Sequence, residues 1–143
     1  MFLAAVLTVG PAGASGERYE RPGVGLSIPV PAGWEIVRRP LTPCTDPVQR
    51  LALRGHGALV QIQERVAVEN LDGFPPRPAR FALQGAPRWI GCCVPDERRD
   101  KGWMLAFRDG GRGFYAYVFV GTAGSRREVL AILDGLRVRP RRA

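Results

Sequence analysis

The tightest constraint on how this chain can fold lies between Trp103 and Gly121. Trp103 to Arg108 and Phe114 to Gly121 are extended runs on either side of Asp109-Gly110-Gly111-Arg112-Gly113, a loop whose glycines supply the positive φ that a hairpin turn demands. In the second run Phe114, Ala116, Val118 and Val120 face one way, and Tyr115, Tyr117 and Phe119 the other. A strand apolar on both faces must be covered on both, which places it centrally in a sheet. The rest of the chain has to supply those covers.

Upstream, Val24, Leu26, Ile28 and Val30 alternate with small or polar residues, the period of a strand with one buried face. That run stops at Pro31-Ala32-Gly33, and Trp34 to Arg39 restarts it, so the two are expected to pair as a hairpin. Thr42 to Pro47 reads as a proline-bounded loop. Val48 to Arg54 and Ala58 to Val68 flank Gly55-His56-Gly57, a second hairpin. In its latter strand Val60, Ile62 and Val66 share a face, and Gln61, Gln63 and Arg65 form an expected wet side. Glu69 to Pro78 is expected to be a surface loop, followed by weak strands at Arg80 to Gln84 and Arg88 to Val94 and a polar turn from Pro95 to Gly102.

A helix closes the chain, with Ser125 as expected N-cap and Glu128 completing a capping box. Val129, Ile132, Leu133 and Leu136 form one apolar stripe, and Gly135 marks the end. Val138 adds an extended residue before a basic tail, 139–143, that is expected to be mobile. The class is α+β: a mostly antiparallel sheet with a C-terminal helix packed on it.

Met1 to Ala14 reads as an export signal, with an apolar run, a Gly10-Pro11 break and small residues before Ser15. Cleavage there leaves 15–143 as a single exported domain, secreted or in the cell envelope. The apolar run is too short to span a bilayer, which needs about 20 residues, so no transmembrane span is expected. In an oxidising compartment Cys44, Cys92 and Cys93 imply one disulfide, from Cys44 to Cys92 or Cys93, and one leftover thiol. That bridge closes a loop of nearly fifty residues and is worth about 4 kcal/mol by chain entropy. The formal charge is +8, and Lys101 is the sole lysine among 21 basic residues. The basic positions are not interleaved with aromatic residues, so weak, unspecific binding to anionic surfaces is expected and specific nucleic-acid binding is not.

Chemical motifs are sparse. His56 is the only histidine, and in sequence it has neither a nucleophile beside it nor an acid behind it, so it reads as an exposed turn residue. Cys44, Cys92, Cys93 and His56 have zinc-ligand chemistry without zinc-ligand spacing, and no metal is expected. No phosphate loop, dinucleotide fingerprint or calcium loop occurs, so neither cofactor nor catalytic residue is assigned. Pro75-Pro76-Arg77-Pro78-Ala79-Arg80 matches a proline-rich ligand pattern and is read as a stiffened loop. Trp34, Trp89, Trp103, Tyr115 and Tyr117 are the candidate aromatics for a pocket, though strand aromatics more often serve the core.

The stretch from Gly25 through Pro31-Ala32-Gly33-Trp34 to Ile36 resembles the first hairpin of the Mog1/PsbP-like superfamily. Tyr115-Ala116-Tyr117-Val118-Phe119-Val120 and the helix through Leu136 resemble its final strand and helix. These stretches cover about a third of the chain, and the three prolines up to Pro78 oppose the helix that members usually carry there. The resemblance implies a non-enzymatic exported domain that binds a protein or envelope partner. The competing expectations are a small-ligand carrier or enzyme with an aromatic-lined pocket, and a cytosolic basic protein associated with nucleic acid.

Overall fold

The computed structural model describes residues 17–67, 69–87, 102–121 and 123–141. Two antiparallel sheets and one helix form the described part. The smaller sheet is ordered β1-β2-β8, from β1 (Glu17–Arg21), β2 (Leu26–Val30) and β8 (Arg137–Val138). The larger is ordered β3-β4-β5-β7-β6, from β3 (Trp34–Ile36), β4 (Val48–Gly55), β5 (Ala58–Glu64), β6 (Trp103–Asp109) and β7 (Arg112–Phe119). Helix α1 (Ala123–Asp134) precedes β8. Strand β7 is interior, between β5 and β6, as its two apolar faces require; β5 takes the middle of the sheet and is buried along its whole length.

Two buried clusters line the two faces. Phe114, Ala116 and Val118 join Leu26, Ile28, Val60, Ile62 and the helical Val129, Ile132 and Leu133 in the larger one. Leu59 and Tyr117 anchor the other, with Tyr115, Phe119, Met104 and Cys44 against them.

Several expectations need correction. Strands β2 and β3 do not form a hairpin: at Gly33, with φ of 83°, the chain turns and crosses from one sheet to the other. The true partners are β1, which the sequence pattern did not reveal, and β8. Arg80 to Gln84 is not a strand; Phe81 and Leu83 instead plug the core from irregular chain, with the Phe81 N–H donating to Asp134 Oδ1 at 2.8 Å. Of the expected wet side of β5, Gln61 and Gln63 are dry, both 0% exposed, and Arg65 alone reaches solvent. The glutamine amides run in a chain: Gln63 donates to Gln61, Gln61 to Gln49, and Gln49 to the Arg39 carbonyl. Each bond offsets the cost of burying an amide.

Helix α1 opens at Ala123, so Ser125 falls inside the first turn, 1% exposed, rather than capping it, and the Glu128 carboxylate is engaged elsewhere. The other end is closed by Arg77, whose guanidinium donates to the carbonyls of Leu133, Asp134 and Leu136. A cation at the C-terminal carbonyls satisfies groups that have no partner within the helix and complements its dipole. The expected mobile tail is pinned at its start: Arg139 N–H donates to Gly25 O and Arg141 N–H to Gly110 O, each at 2.8 Å. The export segment, the Arg88 to Val94 strand, Trp89, Cys92 and Cys93 lie outside the described residues.

Candidate functional site

Histidine 56 has the acid that the sequence alone did not reveal. Gly55 pairs with Ala58, so His56 and Gly57 form a two-residue turn with φ of 50° and 75°. This aims the imidazole at α1, where Nδ1 lies 2.7 Å from Glu128 Oε1, while Trp34 Nε1–H donates to Glu128 Oε2 at 2.8 Å. Burial alone would raise the Glu128 pKa. The hydrogen bonds from His56 and Trp34 and the attraction of His56 outweigh it, bringing the carboxyl below the ordinary glutamate range. An ionised carboxylate only accepts, so Nδ1 is the ring nitrogen that donates to it. Gly33 makes room for the ring: a Cβ there would stand 2.3 Å from His56 Nε2. Among the described residues no hydroxyl or thiol bonds to this imidazole, so the pair resembles an acid–base couple without a nucleophile.

The four described pocket aromatics divide between the two clusters. Trp34 and Trp103 belong with the larger cluster, Trp103 lying beneath the Arg126 guanidinium, whereas Tyr115 and Tyr117 lie with the opposite one. Cys44 is half-buried against Leu59 and Tyr117. No group of three or more metal-ligating side chains occurs among the described residues. Nor is any described helix long and apolar enough to cross a membrane.

A concavity runs along the outer edge of β6, and its origin is legible in backbone parity. Gly110 and Gly111, with φ of 61° and 75°, close a two-residue turn, so Asp109 and Arg112 exchange both hydrogen bonds. Every second residue back along β6 also bonds to β7, and the alternate residues Met104, Ala106 and Arg108 direct N–H and C=O outward. Two of these positions are covered. Met104 N–H donates to Pro87 O at 2.9 Å; Arg108 N–H donates to Pro75 O at 2.8 Å, and Arg108 O accepts from Arg77 N–H at 3.0 Å. Ala106 lies between them, and no described residue bonds to its outward N–H or C=O.

Around Ala106 the surface forms a groove of about 430 Å³ lined by Pro75, Pro78, Phe81, Pro87, Met104 and Leu105. The prolines that read as a ligand motif are thus part of the frame, and Arg77 among them is turned inward onto the helix end and Asp109. Prolines lack N–H donors, so this frame meets the strand edge only at its ends, through the single parallel bridge of Pro76 with Arg108 and the Pro87 carbonyl at Met104. Among the described residues the exposed large hydrophobic side chain is Val66, at 47%, which makes an apolar groove on this arginine-rich surface distinctive.

No family model, curated protein or solved structure matches this chain.

Proposed function

We propose that this chain is an exported, non-enzymatic α+β domain, of the Mog1/PsbP-like type suggested by its two resembling stretches, whose helix packs on the larger sheet and which binds a protein partner in the groove along β6. The observation that carries the reading is the groove itself, apolar and bordered by prolines on a surface otherwise rich in charge. Selection from a phage-displayed library of randomised six-residue segments should enrich binders. Ala82→Glu, which sets a charge in the groove, should weaken them by about tenfold or more, because an unpaired carboxylate on apolar surface loses hydration on binding. Enriched segments that bind Ala82→Glu as well as the parent would move the contact off this face.

Export carries its own expectation, a single disulfide from Cys44 to Cys92 or Cys93. Alkylation of denatured, unreduced protein from an oxidising compartment should find one free thiol. Three free thiols in that material would refute the bridge.

A further inference from the structure

We infer that the partner enters the groove as an extended segment that adds itself to the edge of β6, accepting a hydrogen bond from the outward Ala106 N–H and donating one to the outward C=O of Ala106 or Met104. The inference rests on the groove being the partner site and names what the site recognises, main chain rather than a folded surface or a small apolar ligand.

The geometry that selects main chain is the alternation of donors and acceptors. Outward groups follow one another along β6 as Met104 C=O, Ala106 N–H and Ala106 C=O, flanked by the Met104 N–H held by Pro87 and the Arg108 groups held by Pro75 and Arg77. The fold itself already uses this edge in that manner, since Pro76 forms a parallel bridge with Arg108. A strand laid between the two covered ends continues a ladder the protein has begun at both.

Side chains of an added strand alternate across the edge. Leu105 and Phe81 belong to the larger core cluster and Met104 to the surroundings of the other, so successive side chains of the segment meet the two apolar sides of the groove in turn. Among the described residues the unbonded stretch of this edge is one outward residue of β6 long, so the footprint on the edge is two or three residues and the affinity is modest.

Ala106→Pro separates the alternatives, because the Ala106 N–H points away from β7 and its loss leaves the β6–β7 ladder whole. Segments selected on the parent protein should lose about tenfold or more in affinity for Ala106→Pro. Their binding should slow exchange of the Ala106 amide on the parent. Methylating one central amide of a selected segment should cost the same order, a measurement that needs no variant protein and stands even where Ala106→Pro folds poorly. Segments that remain sensitive to Ala82→Glu but are indifferent to backbone methylation and leave Ala106 exchange unchanged would overturn strand addition while keeping the groove. Segments insensitive to Ala82→Glu would overturn the groove as well.

Discussion

Arg112→Ala is expected to lower unfolding stability at neutral pH by about 3 to 5 kcal/mol, the usual cost of leaving one member of a buried ion pair behind. The Arg112 and Glu64 side chains are 10% and 9% exposed and meet through two hydrogen bonds of 2.8 Å. Arg50 adds a third to the same carboxylate, also at 2.8 Å. The Arg112 guanidinium also donates to the carbonyls of Val24, Gly25 and Arg139, so one side chain joins the large sheet to the loop before β2 and to the chain after β8. Arg112→Lys keeps the charge but cannot form the two-pronged contact, and should recover only part of the loss.

The pH dependence has a definite sign. Burial alone would raise the Glu64 pKa, but the hydrogen bonds and charges of Arg112 and Arg50 outweigh it and depress it. A depressed carboxyl contributes stability that is complete above its unfolded value, about 4.3, and is lost as pH falls through the folded one. Denaturant melts of parent and Arg112→Ala should therefore differ most near neutrality and draw closer in acid, where the carbonyl contacts of Arg112 still favour the parent. Curves that stay parallel down to acid pH would mean that Glu64 is not the group through which Arg112 acts.

Leu133→Ala is expected to cost about 2 to 5 kcal/mol through lost burial and the cavity left behind. Leu133 is 0% exposed and shares a cluster with Val60, Ile62 and Phe107. Arg127→Ala, on the exposed side of the same helix, should change stability by no more than about 0.5 kcal/mol. Equal, mild effects in chemical denaturation would contradict the proposed packing of the helix on the sheet.

What the sequence disclosed, and what it hid, divides along physical lines. Strand β7 was legible because both of its faces carry their burial in the residue types themselves. The hairpin turns at His56-Gly57 and Gly110-Gly111 were legible because glycine at positive φ is a local requirement. Strand β1 was not: Glu17–Arg21 presents one half-buried residue, Tyr19, and owes its extension to pairing with β2. Gln61 and Gln63 misled because amides normally seek water, and only a partner chain of amides from Gln49 makes their burial tolerable. His56 and Glu128 are brought together by the placement of a turn against a helix, a relation no window of sequence contains. The groove followed from parity: once Gly110-Gly111 closes the turn, which β6 backbone groups face outward is decided, yet the lining prolines and Phe81 come from a separate stretch of chain.

Arginine in this protein is chiefly a joining material. Arg18 reaches Gly135 O, Arg21 reaches the carbonyls of Gln49 and Arg50, Arg108 reaches Phe74 O, and Arg77 and Arg112 each span several. A planar fork with five donors can tie together carbonyls that belong to different elements; an ammonium on a flexible stem cannot hold them in that geometry. The scarcity of lysine thus acquires an architectural meaning, and net charge becomes separable from fold. A version of the chain with lysine at these positions would present the same formal charge to a polyanion and would lack the cross-ties that hold its sheets, loops and helix end together.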